Sequence, residues 1–190
     1  MKKIKLWTEY LIEDTIEEID FDKIIQFSYQ LKNIDPGRVV SNNGGWQSNS
    51  LVKGQNEEID KLRSLLNRKI KFVYGEENKK ISAETMWINI NPPGSFNLIH
   101  CHLGANYSGV LYLKSEENMG NIYFSRLPNM EEVYDHMCMS GMDIDKFLLE
   151  YPSLTGKLYL FSPFIFHSVG VNNSNTDRIS ISFNYDILRD

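Results

Sequence analysis

Arg178-Ile179-Ser180-Ile181-Ser182-Phe183-Asn184 is the stretch on which the reading of this chain turns. Ile179, Ile181 and Phe183 alternate strictly with Arg178, Ser180 and Ser182, the period-two pattern of a strand with one apolar face. The opposite face presents a guanidinium with two hydroxyls beside it. A half-exposed edge strand with a solvated arginine has the same pattern. On a strand that faces a cavity, the same residues make a carboxylate receptor: a planar fork donating two bonds, with a serine hydroxyl adding a third.

Eleven residues upstream of Arg178 stands His167, at the end of the apolar run Leu158–Phe166. The run places His167 near the end of a buried strand, where both ring nitrogens must find a partner; a hydrogen bond or a metal supplies one. Further upstream, His100 and His102 are separated by one residue, so on an extended strand both rings leave the same face and reach a common ion. A lone H-x-H pair is a loose signal. Its conjunction with His167 and Arg178, in this order, is a more demanding one.

The surroundings read as strands. Met86–Asn91, Ser108–Leu113, Asn121–Ser125, Lys157–Phe161 and Arg178–Tyr185 are short runs rich in Val, Ile, Tyr and Phe, and Pro92-Pro93-Gly94, Gly104, Gly120, Gly156, Pro163 and Gly170 punctuate them. Such spacing predicts a sandwich, jelly roll or barrel rather than a parallel α/β sheet. Residues 1–75 read as a helical support region. Ile4–Trp7 predicts an opening strand. Ile16, Ile19, Phe21, Ile24, Ile25, Phe27 and Leu31 form a helical stripe capped by Asp20 or Asp22, and a second helix is predicted over Asn56–Asn67. Between the two helices, Ser41–Ser48 is rich in turn formers. Residues 128–152 interrupt the strand pattern. A helix start at Pro128-Asn129-Met130 and a helical Asp145–Glu150 predict an insertion of the kind that serves as a lid or binding loop.

At 190 residues the chain is expected to be a single domain (1–190), with its β core over 85–187 and a core large enough to need no disulfide. A net charge of -5 argues against a nucleic-acid surface, which needs clustered Lys and Arg. Cys101 and Cys138 lack C-x-x-C spacing, and no apolar run approaches the roughly 18 residues of a membrane span. No signal-peptide pattern is evident either, since Glu9, Glu13 and Asp14 interrupt the start. These features predict a cytoplasmic location with reduced thiols and no membrane partner.

Taken together, His100-x-His102, His167 and Arg178-x-Ser180 resemble the iron and 2-oxoglutarate dependent oxygenase superfamily. The resemblance is closer to a group of 2OG-Fe(II) oxygenases of bacteria and phages. It covers Ser41–Ser48, Trp87–Asn91, His100-Cys101-His102, Tyr107–Leu113 and His167 to Asn184, most of the chain from about residue 40 onward. It implies a mainly β, double-stranded β-helix (jelly roll, cupin-like) fold with flanking N-terminal helices.

For the site, the resemblance implies Fe(II) held by His100 and His167, and 2-oxoglutarate held by Arg178, Ser180 and Tyr112; His102 is read as the third metal ligand, the alternatives being a place beside the metal with water or another group as ligand, or a metal other than iron. Asn89, which shares a strand face with Asn91, is a further candidate for the cavity. The superfamily usually has Asp or Glu at the position of His102. With a carboxylate there, Fe²⁺ and the dianionic cosubstrate sum to one net negative charge; with three neutral histidines they sum to none. The implied activity is a dioxygenase that hydroxylates an unidentified substrate using O2, with succinate and CO2 as co-products. Two other functions fit the same residues: a non-catalytic metal-binding jelly roll, and a three-histidine dioxygenase that does not use 2-oxoglutarate. Jelly rolls of this kind often form homodimers, and no residue pattern here decides it.

Overall fold

A computed structural model describes residues 8–75, 81–126 and 148–187. The chain runs β1 (Leu11–Thr15), α1 (Phe21–Lys32), β2 (Asn42–Asn43), β3 (Trp46–Gln47), α2 (Glu57–Tyr74), β4 (Ile81–Asn91), β5 (Phe96–His100), β6 (Tyr107–Lys114), β7 (Ile122–Ser125), β8 (Leu148–Tyr151), β9 (Lys157–Phe161), β10 (Phe166–Val169) and β11 (Arg178–Ile187). The strands pair into two antiparallel sheets, ordered β1-β9-β6-β11-β4-β3 and β2-β5-β10-β7-β8. From β4 onward the chain passes repeatedly from one sheet to the other. This is the winding of a double-stranded β-helix.

The alternation in the strands sets the layers. Ile179, Ile181 and Phe183 of β11, Met86, Ile88 and Ile90 of β4, and Leu158 and Leu160 of β9 pack in one cluster with Ile24 and Leu31 of α1 and Ile59, Leu62, Leu66 and Ile70 of α2. The larger sheet is therefore backed by the two helices. Its other face contributes Val110, Tyr112, Tyr159 and Phe161 to a second cluster with Ile122 and Phe124 of the smaller sheet. Residues next to one another in β6 and β9 thus serve opposite layers, as period two demands. The Arg178–Ser180–Ser182 face of β11 looks toward the smaller sheet.

Both helices begin where side-chain chemistry starts them. Asp20 accepts a bond from the Lys23 amide at 3.3 Å, and Asn56 accepts from the amides of Glu58 and Ile59 at 3.0 and 3.1 Å. The second helix runs past the predicted end at Asn67 to Tyr74 and closes on Gly75, whose φ of 66° is left-handed. Ile70 carries the buried stripe onward, while Arg68 is exposed and Lys69 reaches out to Asp14. None of the helices among the described residues is long and apolar enough to cross a membrane.

Several elements differ from the sequence reading. The strand predicted at Ile4–Trp7 lies outside the described residues, as does the helix start at Pro128. The first strand is instead Leu11–Thr15, an edge strand whose Glu13 and Asp14 pair with Lys157 and Lys69. Leu148–Tyr151 is a strand paired with β7, although Asp145–Glu150 reads as helical; cross-strand pairing overrides a local preference in so short a run. The Ser41–Ser48 turn carries two short strands. Asn42 pairs with Asn97 in the smaller sheet and Gln47 with Asn89 in the larger, so this turn staples the sheets together beside the cavity.

Gly109 lies where β6 passes between β9 and β11. A Cβ there would stand 2.6 Å from the Phe183 ring and from the Tyr159 carbonyl oxygen. Gly109→Ala is expected to cost about 1–3 kcal/mol of stability through overpacking, measured as a lowered urea midpoint with an unchanged slope.

Candidate active site

The residues singled out in the sequence line one cavity between the sheets, with about 500 Å³ of empty space including its open mouth. His100 and His167 are direct cross-strand partners on β5 and β10. β5 ends at His100, so His102 does not share its strand, contrary to the expectation of two rings on one strand face. It follows in the irregular segment after β5, tied by its amide to the Pro163 carbonyl at 2.8 Å. His167 also differs from expectation. The apolar run breaks at Ser162–Ile165, where Pro163 cannot donate to a ladder, and His167 is the second residue of a new strand in the other sheet.

The three rings converge nevertheless. Their centroids lie 4.3 Å (His100–His167), 4.9 Å (His102–His167) and 5.0 Å (His100–His102) apart. One nitrogen from each ring lies within 4.8 Å of the others, a spacing that could hold a metal ion. The remaining nitrogens are occupied. His100 Nδ1 lies 2.8 Å from the Leu98 carbonyl, His167 Nδ1 3.1 Å from the Ile165 carbonyl, and His102 Nδ1 2.7 Å from Asn184 Oδ1. Donation of Nδ1–H to these oxygens leaves each Nε2 with a free lone pair. Burial lowers all three pKa values, that of His102 to about 4 and that of His167 well below the ordinary value, so the rings are neutral at pH 7. Three neutral, converging imidazoles suit a divalent transition metal.

The other end of the cavity is built for an anion. Arg178 is 1% exposed, and no carboxylate among the described residues pairs with it. Its Nη1 donates to the carbonyls of Met119, Gly120 (3.3 Å) and Gly170 (3.0 Å). Its Nη2 is buried without a partner, and so is the hydroxyl of Tyr112. Burial raises the Tyr112 pKa, so the phenol remains a donor. Two buried donors without acceptors, one of them cationic, are costly unless an anion completes them. A carboxylate fits that demand. The donor set therefore matches a metal at one end of the cavity and an acid group at the other.

Ser180 sits opposite Tyr112 on β6 and opposite Asn89 on β4. Asn89 lines the cavity and donates to Ser182 Oγ at 3.0 Å and, more weakly, to Ser180 Oγ at 3.4 Å. Asn91, Asn97, Ser41 and Trp87 add to the wall. The Trp87 ring centroid lies 5.7 Å from that of His102. Of the apolar residues near the histidines in sequence, Phe161 lines the cavity, Leu111 faces the helices, and Phe164 is 62% exposed. Trp46 packs on the helical side and donates to the Asp35 carbonyl at 3.1 Å. His136, Cys138 and the carboxylates Glu131, Glu132 and Asp135 lie outside the described residues.

The sequence reading assigned no role to Asn184 or Ser108. The signal for Asn184 was present in the alternation, which puts it on the Arg178 face of β11; the signal for Ser108 was only its place opposite Asn184.

Residues 85–184, just over half of the chain, match the family model described as "Putative 2OG-Fe(II) oxygenase". The match spans all three histidines, Tyr112, Arg178 and Asn184. The protein belongs to this family of Fe(II) and 2-oxoglutarate dependent oxygenases.

Among solved structures, the chain is similar to a prolyl-4-hydroxylase from Pseudomonas putida (14% identity, 96% of this chain and 95% of that one, TM-score 0.65). It is also similar to a prolyl hydroxylase from Trichoplax adhaerens crystallised with a hypoxia inducible factor peptide fragment (15% identity, 93% and 83%, TM-score 0.65). A third is HygX from Streptomyces hygroscopicus, crystallised with nickel and 2-oxoglutarate (12% identity, 93% and 82%, TM-score 0.62). At these identities the likeness concerns the fold. No curated protein matches the sequence.

Tyr112→Phe removes a buried hydroxyl that has no partner. In the ligand-free protein it is expected to leave the unfolding midpoint unchanged or raise stability by up to about 1 kcal/mol, read by thermal denaturation without added metal or 2-oxoglutarate.

Proposed function

We propose that the protein is a dioxygenase that hydroxylates its substrate at an Fe(II) centre held by His100, His102 and His167. In this reading Arg178 and Tyr112 bind the distal carboxylate of 2-oxoglutarate, Ser180 adds a hydroxyl beside them, and Asn89 shapes the wall. The observation that carries it is the pair of unpartnered buried donors, Arg178 Nη2 and Tyr112 OH, in the same cavity as three converging imidazoles. A metal-binding module or a dioxygenase indifferent to 2-oxoglutarate has no use for such an anion receptor.

When bound, Fe(II) and 2-oxoglutarate supply O2 activation coupled to oxidative decarboxylation, with succinate and CO2 as products. The chain's own residues do the rest. The three Nε2 lone pairs would hold the ion, and the Nδ1 hydrogen bonds fix the ring orientations in advance, so little freedom would be lost on binding. Three backbone carbonyls fix Nη1 of Arg178 and leave Nη2 without a partner, free for the acid group. Val110, Ile122, Phe161 and Val169 line the cavity with apolar surface, and Phe161 stands 4.8 Å from His167 between ring centroids. These walls exclude water from the centre, which is the protein's contribution to chemistry carried by a cofactor.

Anaerobic addition of Fe(II) and 2-oxoglutarate is expected to give the visible charge-transfer absorption of the chelate, and exposure to O2 to release succinate. Absence of both in the wild-type protein refutes the reading. Arg178→Ala is expected to weaken the absorption greatly. Tyr112→Phe, whose effect on the ligand-free protein is neutral or favourable, is expected to weaken 2-oxoglutarate binding roughly 10- to 100-fold, the worth of one hydrogen bond to a charged group; titration of the absorption measures it.

A further inference from the structure

Of the three converging imidazoles, His102 is the one whose Nδ1 meets a side chain and not a backbone carbonyl. His100 and His167 each donate Nδ1–H to the carbonyl two residues back, Leu98 and Ile165, so the backbone that places the ring also orients it. His102 lies beyond the end of β5 and faces a side chain instead, Asn184 Oδ1 at 2.7 Å. The same oxygen accepts from Ser108 Oγ at 2.8 Å. Asn184 and Ser108 are direct partners across β11 and β6, and the β11–β4 ladder shifts register immediately after Asn184. We propose that Asn184, braced by Ser108, is a positioning residue that holds His102 in its metal-binding tautomer and keeps negative charge away from that side of the centre. This rests on the reading of His102 as a metal ligand.

The argument turns on the two ends of an amide. With its oxygen toward His102, the ring carries its proton on Nδ1 and presents the Nε2 lone pair to the ion. With its nitrogen toward His102, Nδ1 becomes an acceptor, Nε2 carries the proton, and the ring cannot bind a metal. In the first orientation, which the structure has, the Ser108 hydroxyl donates to the same oxygen and gives it a second partner. A carboxylate at position 184 would accept from both donors equally well. It would also set a full negative charge one imidazole away from the ion, restoring the charge that the usual carboxylate ligand brings. An asparagine supplies the acceptor without the charge. The neutral ligand set is thereby extended into the groups that support it.

Co(II) alone serves as the probe, because its binding and visible bands report the ligand set without turnover. The apo-protein unfolding midpoint is measured beside each titration to separate folding from coordination. The wild-type protein is expected to bind Co(II), and His102→Ala to bind it more weakly with altered bands. Asn184→Leu is expected to lose 10- to 100-fold in affinity, the usual size of an effect on a group that supports a ligand. Asn184→Asp is expected to regain the affinity to within a few-fold of wild type or better, with its bands displaced by the added charge.

Wild-type affinity and bands in Asn184→Leu overturn the proposal, and so does an Asn184→Asp protein that binds as weakly as Asn184→Leu or has wild-type bands. Should Asn184→Leu not fold, Ser108→Ala takes its place: several-fold weaker Co(II) binding supports the proposal and unchanged binding overturns it. If His102→Ala itself leaves affinity and bands unchanged, the assignment of His102 as a ligand fails and the proposal falls with it. That pattern is distinct from the one in which His102→Ala weakens binding and Asn184→Leu does not.

Discussion

The structure depends on the burial of one guanidinium that has no carboxylate to pair with among the described residues. Arg178 opens the last strand, is almost wholly enclosed, and is held by carbonyl oxygens of Met119, Gly120 and Gly170. Those carbonyls come from the turn after β6 and from the end of β10, so one side chain gathers connections from both sheets. Gly120 is part of that grip. Its φ of 86° is left-handed, and a Cβ on it would stand 2.8 Å from the arginine's Nη1. Backbone oxygens satisfy the inner half of the fork and cannot neutralise it. The outer half is left without a partner, and Arg178 lines the same cavity as the unpartnered phenol of Tyr112.

The other end of the cavity has the opposite character. Its three imidazoles are neutral because burial disfavours the protonated ring, and each is oriented by an oxygen behind it. A cationic group deep in the fold and a cluster of neutral donors near it make a site polarised along its length. Such a site suits a ligand with an acid at one end and metal-chelating oxygens at the other. No aspartate or glutamate among the described residues lines the cavity.

Much of this was legible in the sequence wherever alternation was strict. Ile179, Ile181 and Phe183 against Arg178, Ser180 and Ser182 put the right residues on the right faces of β11, and Asn89 and Asn91 share the cavity face of β4 as their spacing required. The three histidines converge as the sequence reading expected, but two of them stand on other elements than expected. The convergence of His100 and His102 is produced by an irregular segment tied to Pro163, which a spacing rule for strands does not contain. The break before His167 was marked by Pro163, yet the apolar run around it disguised a crossing between sheets as one strand. β5 escaped notice because Leu98 and Ile99 are exposed and its pattern does not alternate. Asn184 had no visible role because its partner Ser108 lies 76 residues away in sequence.

The placement of the three imidazoles has a consequence for how the molecule comes apart. His100 and His167 belong to the smaller sheet and are cross-strand partners there, whereas the group that orients His102 belongs to the larger one. A half-assembled chain would offer an ion two fixed rings and one that swings freely. An ion held by all three rings, as proposed, would thus be retained firmly only in the finished sandwich, and prising the sheets apart would release it in the same event.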